Sequence, residues 1–227
     1  MSRTRRWFAL VACCSLSLVA FAALRGQDKS PAPSPAVTAK ADAANPNSLT
    51  QAEIDRGGLL LFDGETTYGW TAVGKAEWKV VDGELCAAGD AEGFLVTNTD
   101  FGDYELRAQF KTTPETNSGV FVHTPAEPKD PKTDCYEINI AAVGKNPWPT
   151  GGIVERAKRS IEVPESADWQ EFVITTAGDA VTVKLDGREV VSYRDPNALR
   201  RGRIALQARF VRSRFAESSC FRNSPTR

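Results

Sequence analysis

One segment of the chain alternates acid, amide and apolar residues strictly: Tyr136-Glu137-Ile138-Asn139-Ile140. Successive side chains of an extended strand point to opposite faces, so Tyr136, Ile138 and Ile140 go to a core while Glu137 and Asn139 share the other face. The same period in Gly119-Val120-Phe121-Val122-His123 puts Phe121 and His123 together, opposite Val120 and Val122. A face carrying carboxylate, amide, imidazole and aromatic groups suits a sugar, which needs hydrogen bonds to its hydroxyls and a ring under its C–H surface. Any antiparallel strand also has a wet polar face, and Glu137 can be simply part of one. His123 is the only histidine, a residue type that often serves structure through its hydrogen bonds. Asn117-Ser118-Gly119 reads as a ligand contact or as a turn leading into the strand. Trp148, set between Pro147 and Pro149, is either a stacking ring on a rim or a loop plug. There is no G-x-S-x-G, H-E-x-x-H or phosphate-binding glycine loop in the sequence.

The elements that must position these residues are mostly strands. Thr50-Gln51-Ala52-Glu53 is a capping box that opens one short helix, which Gly57-Gly58 stops. Leu59 to Phe62 is a short apolar run ended by Asp63-Gly64. Trp78 to Ala87 reads as a hairpin about Asp82-Gly83, and Val181 to Tyr193 as a second about Asp186-Gly187. Tyr104 to Lys111 alternates most cleanly, with Tyr104, Leu106, Ala108 and Phe110 on one side and Glu105, Arg107, Gln109 and Lys111 on the other. Gly119 to His123, Tyr136 to Ile140, Glu171 to Thr176 and Arg203 to Gln207 continue the series. About a dozen short strands with Gly and Asp turns, and no helical period beyond one or two turns after residue 57, indicate an all-β sandwich of two antiparallel sheets.

The ends of the chain read differently. Met1 to Arg6 hold three arginines, Trp7 to Leu24 are uncharged and apolar, and Ala20-Phe21-Ala22 supplies a small-x-small cleavage site. Residues 1–22 are therefore expected to be a signal peptide for export, leaving no membrane span once cleaved. Residues 23–47, rich in Ala, Pro and Ser, form a linker that cannot bury enough apolar surface to order itself. Removing Arg3, Arg5 and Arg6 from the 28 basic residues leaves 25 against 29 acidic ones, so the mature chain carries −4 in place of −1. A mildly acidic chain without a basic stripe gives no electrostatic case for nucleic acid. Cys86, Cys135 and Cys220 remain, enough for at most one internal disulfide, and no Cys/His spacing suggests zinc. The sequence calls for no cofactor, though it is compatible with a structural or catalytic divalent cation.

The order of these pieces resembles a known family. Leu61-Phe62-Asp63-Gly64, Gly69-Trp70, Trp78 to Leu85, Phe101 to Arg107, Asn117 to Phe121 and Tyr136 to Ile140 come in sequence. Pro149-Thr150-Gly151-Gly152-Ile153, Trp169-Gln170-Glu171-Phe172, Val183 to Gly187 and Gly202 to Gln207 complete the string. Over roughly Gly57 to Gln207 the chain resembles the 3-keto-disaccharide hydrolase domain, of concanavalin A-like lectin/glucanase fold. The resemblance implies a jelly-roll sandwich and a concave sheet that binds an oligosaccharide or glycoside; with the end of the linker it gives domain bounds of 48–207. In two places the chain departs from the family pattern. Ala141-Ala142 stand where members often carry an acidic or amide residue, and residues 208–227, rich in Arg and Ser, show no strand alternation. That terminus reads as an out-of-frame ending or as a genuine basic tail. Loss of a final strand would leave a sheet edge exposed beside Leu59 to Phe62.

The resemblance implies cleavage of 3-keto-glycosides. A ketone at C3 acidifies the C2 proton, a carboxylate removes it, and a cationic or hydrogen-bonding group stabilises the enolate that expels the anomeric substituent. Glu137 is the expected base, with His123 or Arg107 near the ketone. Asn139, Asn117, Phe121, Trp148 and Glu105 are expected to bind the sugar. The alternative is a non-catalytic carbohydrate-binding or cell-surface module, which Ala141-Ala142 favours, with a calcium-dependent adhesin as a third reading.

Overall fold

In the computed structural model the described residues are 47–88, 91–113, 116–141, 146–164, 166, 168–209 and the backbone of 220–224. The signal peptide, all but the last residue of the linker, Ala142 and most of the 208–227 tail lie outside them. The one helix among the described residues, α1 (Gln51–Asp55), is set by the capping box that its sequence promises: the Thr50 hydroxyl accepts from the Glu53 amide, and the Glu53 carboxylate accepts from the Thr50 amide.

Strands follow from there. The first five are β1 (Trp70–Gly74), β2 (Glu77–Val81), β3 (Glu84–Ala88), β4 (Gly93–Thr97) and β5 (Tyr104–Lys111). Then come β6 (Asn117–Thr124), β7 (Tyr136–Ala141), β8 (Gln170–Ala177), β9 (Ala180–Leu185) and β10 (Arg188–Arg194). The last two are β11 (Arg203–Arg209) and β12 (Cys220–Ser224). The strands form a five-stranded sheet, β1-β4-β11-β6-β7, and a seven-stranded sheet, β10-β9-β8-β5-β12-β3-β2, with every pairing antiparallel.

Asp82-Gly83 and Asp186-Gly187 have positive φ at both positions (51° and 79°, 49° and 77°), the type I′ geometry that matches strand twist. They join β2 to β3 and β9 to β10 as the sequence predicts. Between the sheets, Leu106, Phe110, Phe172, Ile174, Val183 and Leu185 meet Val120, Val122, Ile138, Ile140, Ile204 and Leu206, all 3% exposed or less. The Phe110 and Phe172 rings lie 4.5 Å apart at the centre. Truncating either to Ala would open a cavity worth about 3–5 kcal/mol.

Two expectations about the ends of the domain are corrected. Leu59 forms a single β-bridge, and among the described residues Leu60 to Phe62 belong to no strand: Phe62 buries its ring in the core, and Leu61 O accepts a hydrogen bond from the Trp70 indole at 2.6 Å. Some residues read as a strandless tail belong to the sheets. β11 runs on to Arg209, and β12 inserts between β5 and β3, so β12 is internal to the seven-stranded sheet. Central pairing of that kind needs partner strands on both sides rather than its own alternation, which is why the local pattern hides it.

Candidate functional site

The register of the five-stranded sheet builds the site. On its outer face one row across the strands runs Glu137, Phe121, Ala205, Val96, Thr71, and the next runs Asn139, Gly119, Gln207, Phe94, Val73. A third begins Ala141, Asn117, Arg209. Gly119 is therefore a gap in the middle of the second row, flanked across the sheet by Asn139 and Gln207 and along its strand by Asn117 and Phe121. The Glu137 side chain leans into that gap, for a Cβ on Gly119 would sit 3.2 Å from Glu137 Cγ. Glu137, Phe121, Asn139, Gln207, Asn117 and Arg209 line a cavity of about 430 Å3.

Two segments wall the cavity. A strap of residues 125–135 joins β6 to β7 and brings Pro128, Lys129 and Pro131 to its lining, while Cys135 packs on Phe121, Ala205 and Val96. On the other side the chain after β7 doubles back along it: Asn139 and Gly151–Gly152 exchange backbone bonds at 2.9 Å, and the Val154 amide donates to Glu137 O at 2.9 Å. Gly151, at φ +88°, makes this return possible. Trp148 lines the mouth, with the Lys158 ammonium 5.7 Å from the centre of its ring. The Trp148 amide donates to Asn146 Oδ1 at 3.0 Å, and its carbonyl accepts from Asn139 Nδ2. Asn139 thus reaches the cavity as expected but uses one amide proton to hold Trp148 in place.

Both walls hang on one buried ion pair. Arg156 Nη1 lies 2.6 Å from Asp195 Oδ2, and the same guanidinium donates to Pro131 O at 3.0 Å and Cys135 O at 3.3 Å. It stands 4.6 Å over the Tyr136 ring, whose hydroxyl donates to Asp195 and accepts from the Leu199 amide, each at 3.0 Å.

These walls leave Glu137 only 8% exposed, so the residue expected on a wet face is buried. Burial raises its pKa from 4.5 to about 7, against the opposing pull of the nearby Arg209 guanidinium. No hydrogen bond to its carboxyl is made among the described residues. Arg209 is held in turn by Glu92, whose Oε1 is 3.2 Å from Arg209 Nε. Gln207 is 7% exposed and its side-chain oxygen is buried with no partner, an open acceptor in the cavity wall. A carboxyl that titrates near neutrality, a guanidinium within its field and three amides around a glycine floor can move a proton and stabilise a developing oxyanion. Among the described residues, no three of His, Cys, Asp and Glu gather where a metal ion could be held.

Of the expected site residues, the structure brings together Glu137, Asn139, Asn117, Phe121 and Trp148. It separates the other three. Glu105 and Arg107 lie on β5 of the opposite sheet, on the side away from the core, where Arg107 Nε is 3.3 Å from Glu105 Oε1. Alternation assigns them correctly to a polar face but cannot say which sheet carries it. His123 leaves the Phe121 face because β6 holds one extra residue against β11 between Phe121 and Thr124. In that bulge His123 takes φ 51° and turns into the core, its ring nitrogens paired with Leu199 O and Gly102 O and its ring beside Tyr104 and Tyr136. Gln207 and Arg209 also line the cavity, and the motifs of the sequence do not mark either. Carrying the period of two from Ala205 through Gln207 to Arg209 would have found both.

A search of curated proteins finds no match. A crystal structure from Parabacteroides distasonis ATCC 8503, provisionally termed a glycosyl hydrolase, aligns with a TM-score of 0.65 at 18% identity, covering 79% of this chain and 97% of that one. A second structure from the same organism, provisionally termed likewise, gives 0.54 at 25% identity over 66% of this chain and 89% of that one. The exoplasmic/lumenal domain of VIP36 in its Ca2+/Man3GlcNAc-bound form gives 0.51 at 9% identity over 73% and 85%. At such identities the first and third establish the fold alone, a lectin-like sandwich. The family model of the 3-keto-alpha-glucoside-1,2-lyase-like domain matches residues 59–223, and the chain belongs to that family.

Proposed function

We propose that this protein cleaves 3-keto-glycosides by elimination across C1 and C2, with Glu137 as the base. The observation that carries this reading is the Glu137 carboxyl itself, buried over the Gly119 floor, titrating near 7, with Arg209 as the opposite charge in its field. The ionised carboxylate takes the C2 proton, and the C2–H electron pair forms the enolate of the C3 ketone. Arg209 takes the place expected of Arg107 or His123 and donates to the enolate oxygen. Collapse of the enolate restores the ketone, forms the C1–C2 double bond and breaks the bond from C1 to the aglycone oxygen, which leaves with the proton that Glu137 had removed from C2. Addition of one water across the enone gives the free 3-keto sugar. Asn117, Asn139 and Gln207 hold the ring hydroxyls, and Trp148 covers the sugar from the mouth. Membership of a 3-keto-glucoside lyase-like family supports this reading over ordinary glycosidase chemistry, which needs two carboxylates at fixed separation.

The protein works outside the cytoplasm on this proposal, after cleavage near Ala22. Mass spectrometry of the exported form should find an N-terminus near Ala23, and an intact residue 1–24 segment in the membrane fraction would contradict it. The activity is tested by aglycone release from a chromogenic 3-keto-glucoside, comparing wild type with Glu137→Gln. Loss of a positioned base lowers the rate by about 10²–10⁴-fold. A wild-type protein that binds the sugar without releasing aglycone would make this a carbohydrate-binding module instead.

A further inference from the structure

The sheet face that carries Glu137 has a second hollow, of about 530 Å3, beyond the strap. Pro128, Lys129 and Pro131 of the strap face the first cavity, whereas Pro125, Ala126, Thr133 and Asp134 face the second. The local backbone builds the second hollow through a chain of constraints. Gly202 lies against His123 so closely that a Cβ there would be 2.4 Å from the His123 carbonyl carbon. The bulge at His123, with its φ of 51°, turns the imidazole into the core and sets Thr124 directly opposite Arg203. Bulges commonly re-aim a side chain in this way beside a binding site.

The groups gathered there are donors with capacity to spare. Arg201 and Arg203 flank Gly202 and both line the hollow. Arg201 Nη2 donates to the backbone oxygen of Asp100 at 3.2 Å, and Arg203 Nε stands 3.5 Å from Asp100 Oδ1. No other acceptor takes an N–H from either guanidinium among the described residues. Thr124 is 1% exposed, and its hydroxyl is buried with no hydrogen-bond partner. An orphaned buried hydroxyl is costly unless something else satisfies it. Of the hollow's two carboxylates, Asp100 is drawn to Arg203, and Asp134 accepts from the Asp130 amide at 3.1 Å.

We infer that this hollow binds a small oxyanion, carried on an acidic sugar as its carboxylate or offered as free phosphate. Paired guanidiniums match such groups with bidentate, charge-assisted bonds. The site is separate from Glu137 and stands whether or not the proposed lyase activity does.

The test is an amide-shift titration of the isotope-labelled full chain. D-glucuronate, inorganic phosphate and, as the neutral control, D-glucose are added in separate arms, with signals followed at Thr124 and from Leu199 to Arg203. Saturable shifts there with glucuronate assign the sugar acid, and shifts with phosphate alone assign the free anion. Either result supports the site if Arg201→Gln with Arg203→Gln weakens binding by about tenfold or more at an unchanged melting temperature. No shift with either anion, equal shifts with glucose, or unchanged affinity in the double variant would overturn the inference.

Discussion

Replacing Glu137 by Gln should stabilise this protein at alkaline pH even as it removes the proposed base. The folded-state pKa of about 7 lies above the ordinary 4.5, so folding takes up a proton between those two pH values. The contribution of this group to stability is therefore greatest below about 4.5, falls as the pH rises toward 7, and stays low above it. At 1.36 kcal/mol per pKa step, that rise corresponds to about 3 kcal/mol of destabilisation of the charged form. The substituted side chain would carry no charge at any pH, although its buried amide would itself lack full hydrogen bonding, which costs about 1 kcal/mol. The variant should then gain about 2 kcal/mol over wild type at pH 8.5, shrinking to nothing or a slight loss near pH 4.5. Denaturant unfolding of both proteins across that range measures the difference. Equal stabilities at pH 8.5 would mean that Glu137 is hydrated, and the reasoning from burial to a raised pKa would fail.

Other consequences concern the groups around it. Arg209→Gln should lower aglycone release by about 10²–10³-fold and move the alkaline-rising limb of the pH–rate profile to higher pH, since the guanidinium now holds the Glu137 pKa down; a profile unmoved would exclude Arg209 from the site. Gly119→Ala places a methyl 3.2 Å from Glu137 Cγ and equally near the Ile138 carbonyl oxygen, so turnover should drop by about tenfold with a modest fall in melting temperature. Asp195→Asn strands the buried Arg156 charge and should destabilise the fold by about 3 kcal/mol in denaturant unfolding, a cost that an exposed ion pair would not show.

The sequence made the strands legible wherever only one face meets the apolar core. Tyr104 to Lys111 alternates because only one of its faces is buried, whereas Tyr136 to Ile140 is buried on both faces and alternates because only one of them meets the apolar core; Glu137, Asn139, Asn117 and Phe121 therefore fall on the correct side without any tertiary information. Both Asp-Gly turns were legible because the two positive φ values need a tolerant residue followed by glycine. What stayed hidden is non-local. Glu105 and Arg107 obey the same alternation as Glu137, yet β5 belongs to the other sheet, and that assignment depends on pairing partners far along the chain. The bulge at His123 leaves no mark in the local pattern, since the extra residue is counted only against β11. The burial of Glu137 comes from the 125–135 strap and the 148–154 return, whose packing no period encodes.

The central claim, that Glu137 removes the C2 proton, is tested most directly by single-turnover aglycone release from a 3-keto-glucoside deuterated at C2. Breaking that bond in the rate-determining step should make the deuterated substrate slower than the protiated one at pH 8. Glu137→Gln should abolish most of the rate with either substrate. Equal single-turnover rates for the two substrates, or an isotope effect and rate left intact by Glu137→Gln, would contradict the assignment of Glu137 as the base.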